Sequence, residues 1–213
     1  FENDRYFDVL VEYAKGDPED ILVRISATNL GPEKTALHLL PTLWFRNDWA
    51  AWTARPAKKP ELKQIKGPAG TGTIQLTHPV LGVFYLYCES EAPLLFTDNE
   101  TNNERLFPDY PNASRYVKDG INDYLVNGQK NAVNPQKKGT KVAADYQLSV
   151  AAGQTVVVRL RLSTIAPGKM VNPFKKDFEE IFRTRLSEAD EFYKSVTPPG
   201  VGKDAANVMR QAL

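Results

Sequence analysis

Residues 7–28 read FDVLVEYAKGDPEDILVRISAT and decide the fold class. Apolar and polar residues largely alternate in two runs, residues 7–13 and 21–27, which is the period of two expected when one face of a β-sheet is buried. The turn residues Gly16, Asp17 and Pro18 lie between these runs. Two alternating runs joined by such a turn predict an antiparallel β-hairpin.

Further strand-like runs follow at residues 73–77, 83–89, 146–150 and 156–162. The run 83–89 is nearly continuous in apolar and aromatic residues, which predicts a central strand covered on both faces. Residues 53–73 contain clusters of Pro and Gly with scattered lysines, and we expect a solvated loop there with room for one short strand. Several short antiparallel strands predict a mainly β fold, a large antiparallel β-sandwich, over residues 1–165.

The hydrophobic period changes after residue 165. Apolar residues at spacings of three and four form one aromatic-rich stripe from Phe174 to Tyr193, which predicts a helix. Asn172 is the expected N-cap. A second amphipathic pattern starts at Asp204, so we expect residues 166–213 to be a helical linker. The chain starts without a Met and stops inside that pattern, and we expect it to be a piece of a longer protein.

Composition excludes several classes of partner. The 213 residues hold 27 Lys and Arg against 26 Asp and Glu, and this balance creates no field that attracts nucleic acid or anionic lipid. No run approaches the roughly 18 apolar residues of a membrane span. The single cysteine, Cys88, cannot form an intramolecular disulfide, so we expect a reducing, cytoplasmic location without nucleic-acid or membrane partners.

The sequence contains no constellation that predicts catalysis or a cofactor. The two histidines, His38 and His78, lie far apart without Cys or carboxylate at ligand spacing, so no metal site is predicted. Residues 97–134 form a long Asn- and Asp-rich segment whose acids are Asp98, Glu100, Glu104, Asp109, Asp119 and Asp123. Glycoside hydrolysis needs two acids at a defined separation, which spacing along a loop does not supply. No catalytic residue is predicted.

Trp44, Trp49 and Trp52 fall within nine residues. Indole faces stack on sugars and also bury large areas at protein interfaces. The sequence leaves both uses open.

Three stretches carry a family resemblance: LPTLWFRN at 40–47, NNERLF at 102–107 with YVKDGI at 116–121, and NVMRQAL at 207–213. Together they resemble the N-terminal part of bacterial glucosidase-type proteins of glycoside hydrolase family 63, with a mannosylglycerate-hydrolase-like catalytic domain. The resemblance implies a supersandwich-like β-sandwich, a helical linker and an (α/α)6 barrel. In that family the barrel carries the acid and base carboxylates and inverts the anomeric carbon, and no catalytic residue maps onto this chain.

The sequence therefore predicts one function and leaves a second open as its alternative. The first is a non-catalytic domain, inactive alone, that packs on its own C-terminal (α/α)6 barrel and forms part of the cleft for an oligosaccharide or glycoside substrate. The second is an autonomous carbohydrate-binding module that uses the three tryptophans. The candidates for the cleft or domain interface are Trp44, Arg46, Asn47, Trp49, Trp52, Asn103, Glu104, Arg105, Tyr116 and Lys118.

Overall fold

The computed structural model describes residues 5–49, 58–107 and 109–212. Within these ranges the strands are β1 Phe7–Asp17, β2 Asp20–Asn29, β3 Thr35–Leu39, β4 Thr42–Trp44, β5 Glu61–Ile65, β6 Thr71–His78, β7 Gly82–Glu89, β8 Leu94–Thr97, β9 Lys138–Gly139, β10 Lys141–Ala144, β11 Tyr146–Val150 and β12 Thr155–Ser163. The helices are α1 Asn103–Leu106, α2 Gly120–Leu125, α3 Lys176–Val196 and α4 Lys203–Ala212, with a short 3-10 helix at Lys130–Ala132.

The strands form two facing layers. One layer is a seven-stranded sheet in the order β1-β2-β12-β7-β6-β5-β9. The other consists of a three-stranded sheet, β4-β10-β8, and a two-stranded sheet, β11-β3. Neighbouring strands in all three sheets are antiparallel. The predicted mainly β fold with C-terminal helices is confirmed, as is the β1–β2 hairpin.

One hydrophobic core lies between the layers. Its buried residues come from both, and they are Ile25, Leu62, Ile74, Leu76, Leu86, Cys88, Leu94, Phe96, Val142, Ala144, Tyr146, Val158 and Leu160. β7 is the fourth of seven strands, and its Tyr87 and Cys88 are fully buried on opposite faces, as the apolar run predicts.

The short strand for which the prediction left room in residues 53–73 is β5, and it is more buried than a solvated loop would be. β5 is an internal strand between β6 and β9, and Leu62 is fully buried in the core. The sequence did not fix the position of this strand, because its alternation is only five residues long and includes a lysine beside Leu62. Residues 53–57 lie outside the described residues.

α3 covers the outer face of the seven-stranded sheet. Phe178 and Phe182 pack against Ala14 and Leu22 there. The helix begins at Lys176, so the prediction of Asn172 as N-cap was wrong. The Asn172 side chain instead accepts a hydrogen bond from the Phe174 amide, a local turn that competes with helix.

The outer face of the three-stranded sheet is covered by residues 121–133, the last part of the long polar segment. Ile121 and Val133 of that segment pack against Leu95 and Ala143. This contact anchors the segment to the sandwich and positions the candidate site. None of the helices in the described ranges is long and apolar enough to cross a membrane.

Candidate functional site

The tryptophan segment and the long Asn-rich segment, predicted separately, lie against each other. We call the surface that they form, residues 44–49, 98–107 and 109–119, the loop face. Its parts come from β4 and the residues after it on one side, and from the connection between β8 and α2 on the other.

Glu100 joins the two parts. Its carboxylate is buried, with 5% of the residue exposed. One oxygen accepts a hydrogen bond from the Trp49 indole Nε1 at 2.6 Å, and the other accepts one from the Asn47 side-chain amide at 2.9 Å. Lys59 Nζ lies 4.0 Å from the same carboxylate and supplies a positive charge. A buried carboxylate with these partners is satisfied and oriented.

The two residues before Glu100 continue the connection. The Asn99 side chain donates to the Phe45 carbonyl at 2.9 Å, and the Asn99 carbonyl accepts from Asn47 at 2.9 Å. The Asp98 carboxylate pairs with Lys59 at 3.1 Å. Asn99 and Glu100 therefore bind the residues that follow β4, and Asp98 binds Lys59, which lies just before β5.

The outer part of the loop face is held by its own polar side chains. Asn102 accepts from the Arg105 amide at the start of α1 and donates to Asp119 at 3.1 Å. Arg105 pairs with the same aspartate at 3.2 Å. Glu104 and Asn112 exchange two side-chain-to-backbone hydrogen bonds. These groups fold the loop onto itself.

Tyr116 and Lys118 contribute mainly through their backbones. The Asp98 amide donates to the Tyr116 carbonyl at 2.7 Å, and the Lys118 amide donates to the Glu100 carbonyl at 3.0 Å. The Lys118 ammonium donates to Thr101, and Lys141 donates to the Lys118 carbonyl. Burial, with Lys118 nearby, lowers the pKa of Lys141.

The residues predicted for the cleft or domain interface differ in their exposure to solvent. Trp44 is 55% exposed, and Arg46, Glu104, Arg105 and Lys118 are also exposed. Asn47, Trp49, Asn103 and Tyr116 are half-buried. Trp52 lies outside the described residues. The structure brings Asn47 and Trp49 together on one carboxylate, and it holds Glu104, Arg105 and Lys118 in contacts within the loop.

Sequence reasoning missed Glu100 and Lys59 as members of the site. Glu100 was one acid among six in the segment, and no spacing rule set it apart. Lys59 was assigned to a solvated loop. In the ranges that the structure describes, no group of three or more His, Cys, Asp or Glu side chains could hold a metal ion.

Comparisons with known proteins find that the chain is similar to parts of longer proteins. No protein-family model matches it. It is 34% identical over 239 residues to the uncharacterized protein YMR196W of Saccharomyces cerevisiae, and the match covers 98% of this chain but 22% of the yeast protein. The chain thus spans about a fifth of this relative's length.

A solved structure, assigned as a kojibiose phosphorylase from the human microbiome, also aligns. The alignment covers 97% of this chain and 21% of that one, with 12% identity and a TM-score of 0.36. An alignment with this identity and TM-score supports no statement about the fold or the activity of this chain.

Proposed function

We propose that these residues are the non-catalytic β-sandwich region of a longer glycoside hydrolase, and that the loop face packs on its (α/α)6 barrel and lines one side of the substrate cleft. The sandwich-then-helix order and the resemblance to glycoside hydrolase family 63 support this function. The proposal also assumes the cytoplasmic location expected from a lone cysteine.

The observation that carries the proposal is the polar network around Glu100. An idle surface loop needs no buried carboxylate, since its polar groups are satisfied by water. A surface that meets a substrate or a neighbouring domain gains affinity when it is held in one shape beforehand. Glu100 provides this, because it ties Asn47 and Trp49 to a segment about fifty residues further along the chain.

Trp44 and Arg46 are the residues that we assign to the partner or substrate. Both are exposed beside the network. An indole stacks on the apolar face of a sugar ring, and a guanidinium hydrogen-bonds hydroxyls or pairs with a barrel carboxylate. The acid and base that the family resemblance implies belong to the barrel, so this chain binds and shapes the cleft without transferring a proton.

The test is a kinetic comparison in the complete gene product with glucoside substrates. Trp44→Ala and Arg46→Ala should each lower kcat/KM about tenfold, a loss of about 1.4 kcal/mol of transition-state binding. Arg183→Ala, which removes an exposed arginine from α3, is the matched control and should leave kcat/KM unchanged. A further variant replaces Glu104, Arg105 and Lys118 by alanine. Normal turnover in this variant and in the first two would reject the proposal that the loop face lines the substrate cleft.

A second candidate is the autonomous carbohydrate-binding module. The 55% exposure of Trp44 favours it, but the Trp49 indole N–H is already bound to Glu100. The 213-residue chain should then bind glucan oligosaccharides with a shift in tryptophan fluorescence that Trp44→Ala abolishes. Absence of any shift across an oligosaccharide panel would exclude this function.

A further inference from the structure

The two layers of the sandwich separate at the β1 edge and leave an apolar groove of about 470 Å³. One wall is the inner face of β1 and β2, with Val9, Val11 and Tyr13 on β1. The other wall is the β3–β4 connection, residues 39–43. No charged residue lines the groove. Val9 and Val11 are 44% and 43% exposed, and Tyr13 is 71% exposed, so core-type side chains face solvent.

The same strand also has an unpaired backbone edge. β1 is eleven residues long and pairs with β2, and no strand in the described ranges pairs with its other side. The Leu30 amide donates to the Tyr6 carbonyl. In an antiparallel ladder hydrogen bonding alternates along the strand, so the amides of Val9, Val11 and Tyr13 point away from β2. The three β1 residues that line the groove are therefore the ones whose amides lie at the outer edge of the strand.

We propose that a β-strand of the same polypeptide, from outside residues 1–213, pairs with the outer edge of β1 and places alternate apolar side chains in the groove. The length of the relative supports this occupant, because the match covers 98% of this chain and leaves nearly four-fifths of the yeast protein for other segments. A long apolar edge strand is an aggregation hazard unless it is paired or covered. An added strand satisfies the edge and the groove together.

Two other occupants are outcomes that the test must distinguish. A second copy that pairs β1 with β1 about a two-fold axis supplies the edge hydrogen bonds. That axis is perpendicular to the sheet, so the Val9, Val11 and Tyr13 side chains of both copies lie on the same face of the joined sheet, and the oligomeric state distinguishes this occupant from the proposed strand. A small apolar ligand fills the groove but leaves the backbone of β1 unpaired. The proposal shares with the proposed function only the longer polypeptide and concerns a different surface from the loop face.

Hydrogen exchange resolved to single amides tests the pairing. In the complete gene product the amides of Val9, Val11 and Tyr13 should exchange at least about tenfold more slowly than in the 213-residue chain. Equal exchange in the two proteins would overturn the proposal. Slow exchange in the 213-residue chain, together with a dimer in light scattering, would also overturn it, because a second copy would then be the occupant.

A matched pair of substitutions tests the groove. Val11→Glu puts a charge into it, whereas Leu10→Glu changes a neighbour that is 57% exposed on the opposite face of β1. Only Val11→Glu should restore fast exchange at Val9 and Tyr13 in the complete gene product, and circular dichroism of the 213-residue chain should be unchanged by either. Equal effects of the two substitutions would reject the groove as the binding surface. Hydrogen exchange does not depend on sugar turnover. The proposal for the groove can therefore fail while the proposed function holds, and the reverse.

Discussion

Glu100 is the residue whose environment differs most from what its position in a polar loop suggests. Its two oxygens accept hydrogen bonds from side chains that precede it by about fifty residues, and its own carbonyl accepts from Lys118. Charge-assisted hydrogen bonds of this kind are stronger than neutral ones. Glu100 is therefore the main side-chain link between the two parts of the loop face.

Removing that carboxylate should destabilise the chain. Glu100→Ala leaves the Trp49 indole N–H and the Asn47 amide without their acceptor, and we expect a loss of about 2–4 kcal/mol in the free energy of unfolding. Urea denaturation followed by tryptophan fluorescence measures it. Glu91→Ala, at an exposed glutamate, is the control and should change stability by less than about 0.5 kcal/mol. Similar midpoints for both variants would contradict the role given to Glu100.

At the scale of elements, α3 is attached to the sheet by its first half. Phe178 is fully buried, whereas Leu186 and Phe192 further along are 58% and 56% exposed. Charges flank the buried aromatic residues: Glu179 accepts from Arg24 at 2.8 Å, and the Arg24 guanidinium lies 4.5 Å above the Phe182 ring. The aromatic stripe therefore packs on the sheet at its N-terminal end and is exposed to solvent at its C-terminal end.

The same substitution at the two ends of the stripe should have different costs. Phe178→Ala should lower the free energy of unfolding by about 3–5 kcal/mol, because it opens a cavity in a buried cluster. Phe192→Ala should cost less than about 1 kcal/mol in the 213-residue chain, since the ring is mostly in solvent. Chemical denaturation of both variants compares them. Equal costs would mean that α3 packs along its whole length.

At the scale of the whole molecule, the core makes stability sensitive to alkaline pH. Burial raises the pKa of the Tyr87 hydroxyl and of the Cys88 thiol to about 12, and it raises that of Tyr146 as well. All three groups are neutral in the folded state at pH values where the unfolded chain already loses their protons. Their contribution is complete below the unfolded pKa values, about 8.5 for Cys and about 10 for Tyr, and is lost as pH rises towards 12.

We therefore expect the free energy of unfolding to be level from pH 7 to about 8.5 and to fall steeply from about pH 9 to 12. Denaturant titrations at fixed pH values measure the slope. Tyr87→Phe removes one titrating group and its hydrogen bond to the Ile165 carbonyl. That variant should be less stable at pH 7 but lose stability less steeply above pH 10. An unchanged slope would show that Tyr87 ionises as freely in the folded chain as in the unfolded one.

The predictions from sequence were right where the pattern was long. The hairpin β1–β2 and the central strand β7 follow from seven or more residues of consistent patterning. β5 was expected only as a short strand of unspecified position, because five residues with a lysine among them resemble a loop. The start of α3 was misplaced because Asn172 uses its side chain in a turn instead of a cap. The division into residues 1–165 and 166–213 stays a prediction.

The candidate site was predictable only in its parts. The exposed Trp44 and the polar segment 98–119 were recognisable by residue type, but the carboxylate that connects them was not. Whether an acid in a loop is solvated or buried depends on which distant groups surround it.

The sequence by itself determined that the chain is an antiparallel β-protein followed by helices, because hydrophobic periodicity is a local property that each strand and helix carries alone. Only the tertiary structure decided that Glu100 is buried against Trp49 and that Val9 and Val11 line an open groove. Both facts depend on contacts, made or missing, between segments far apart in the chain, and no local pattern records them.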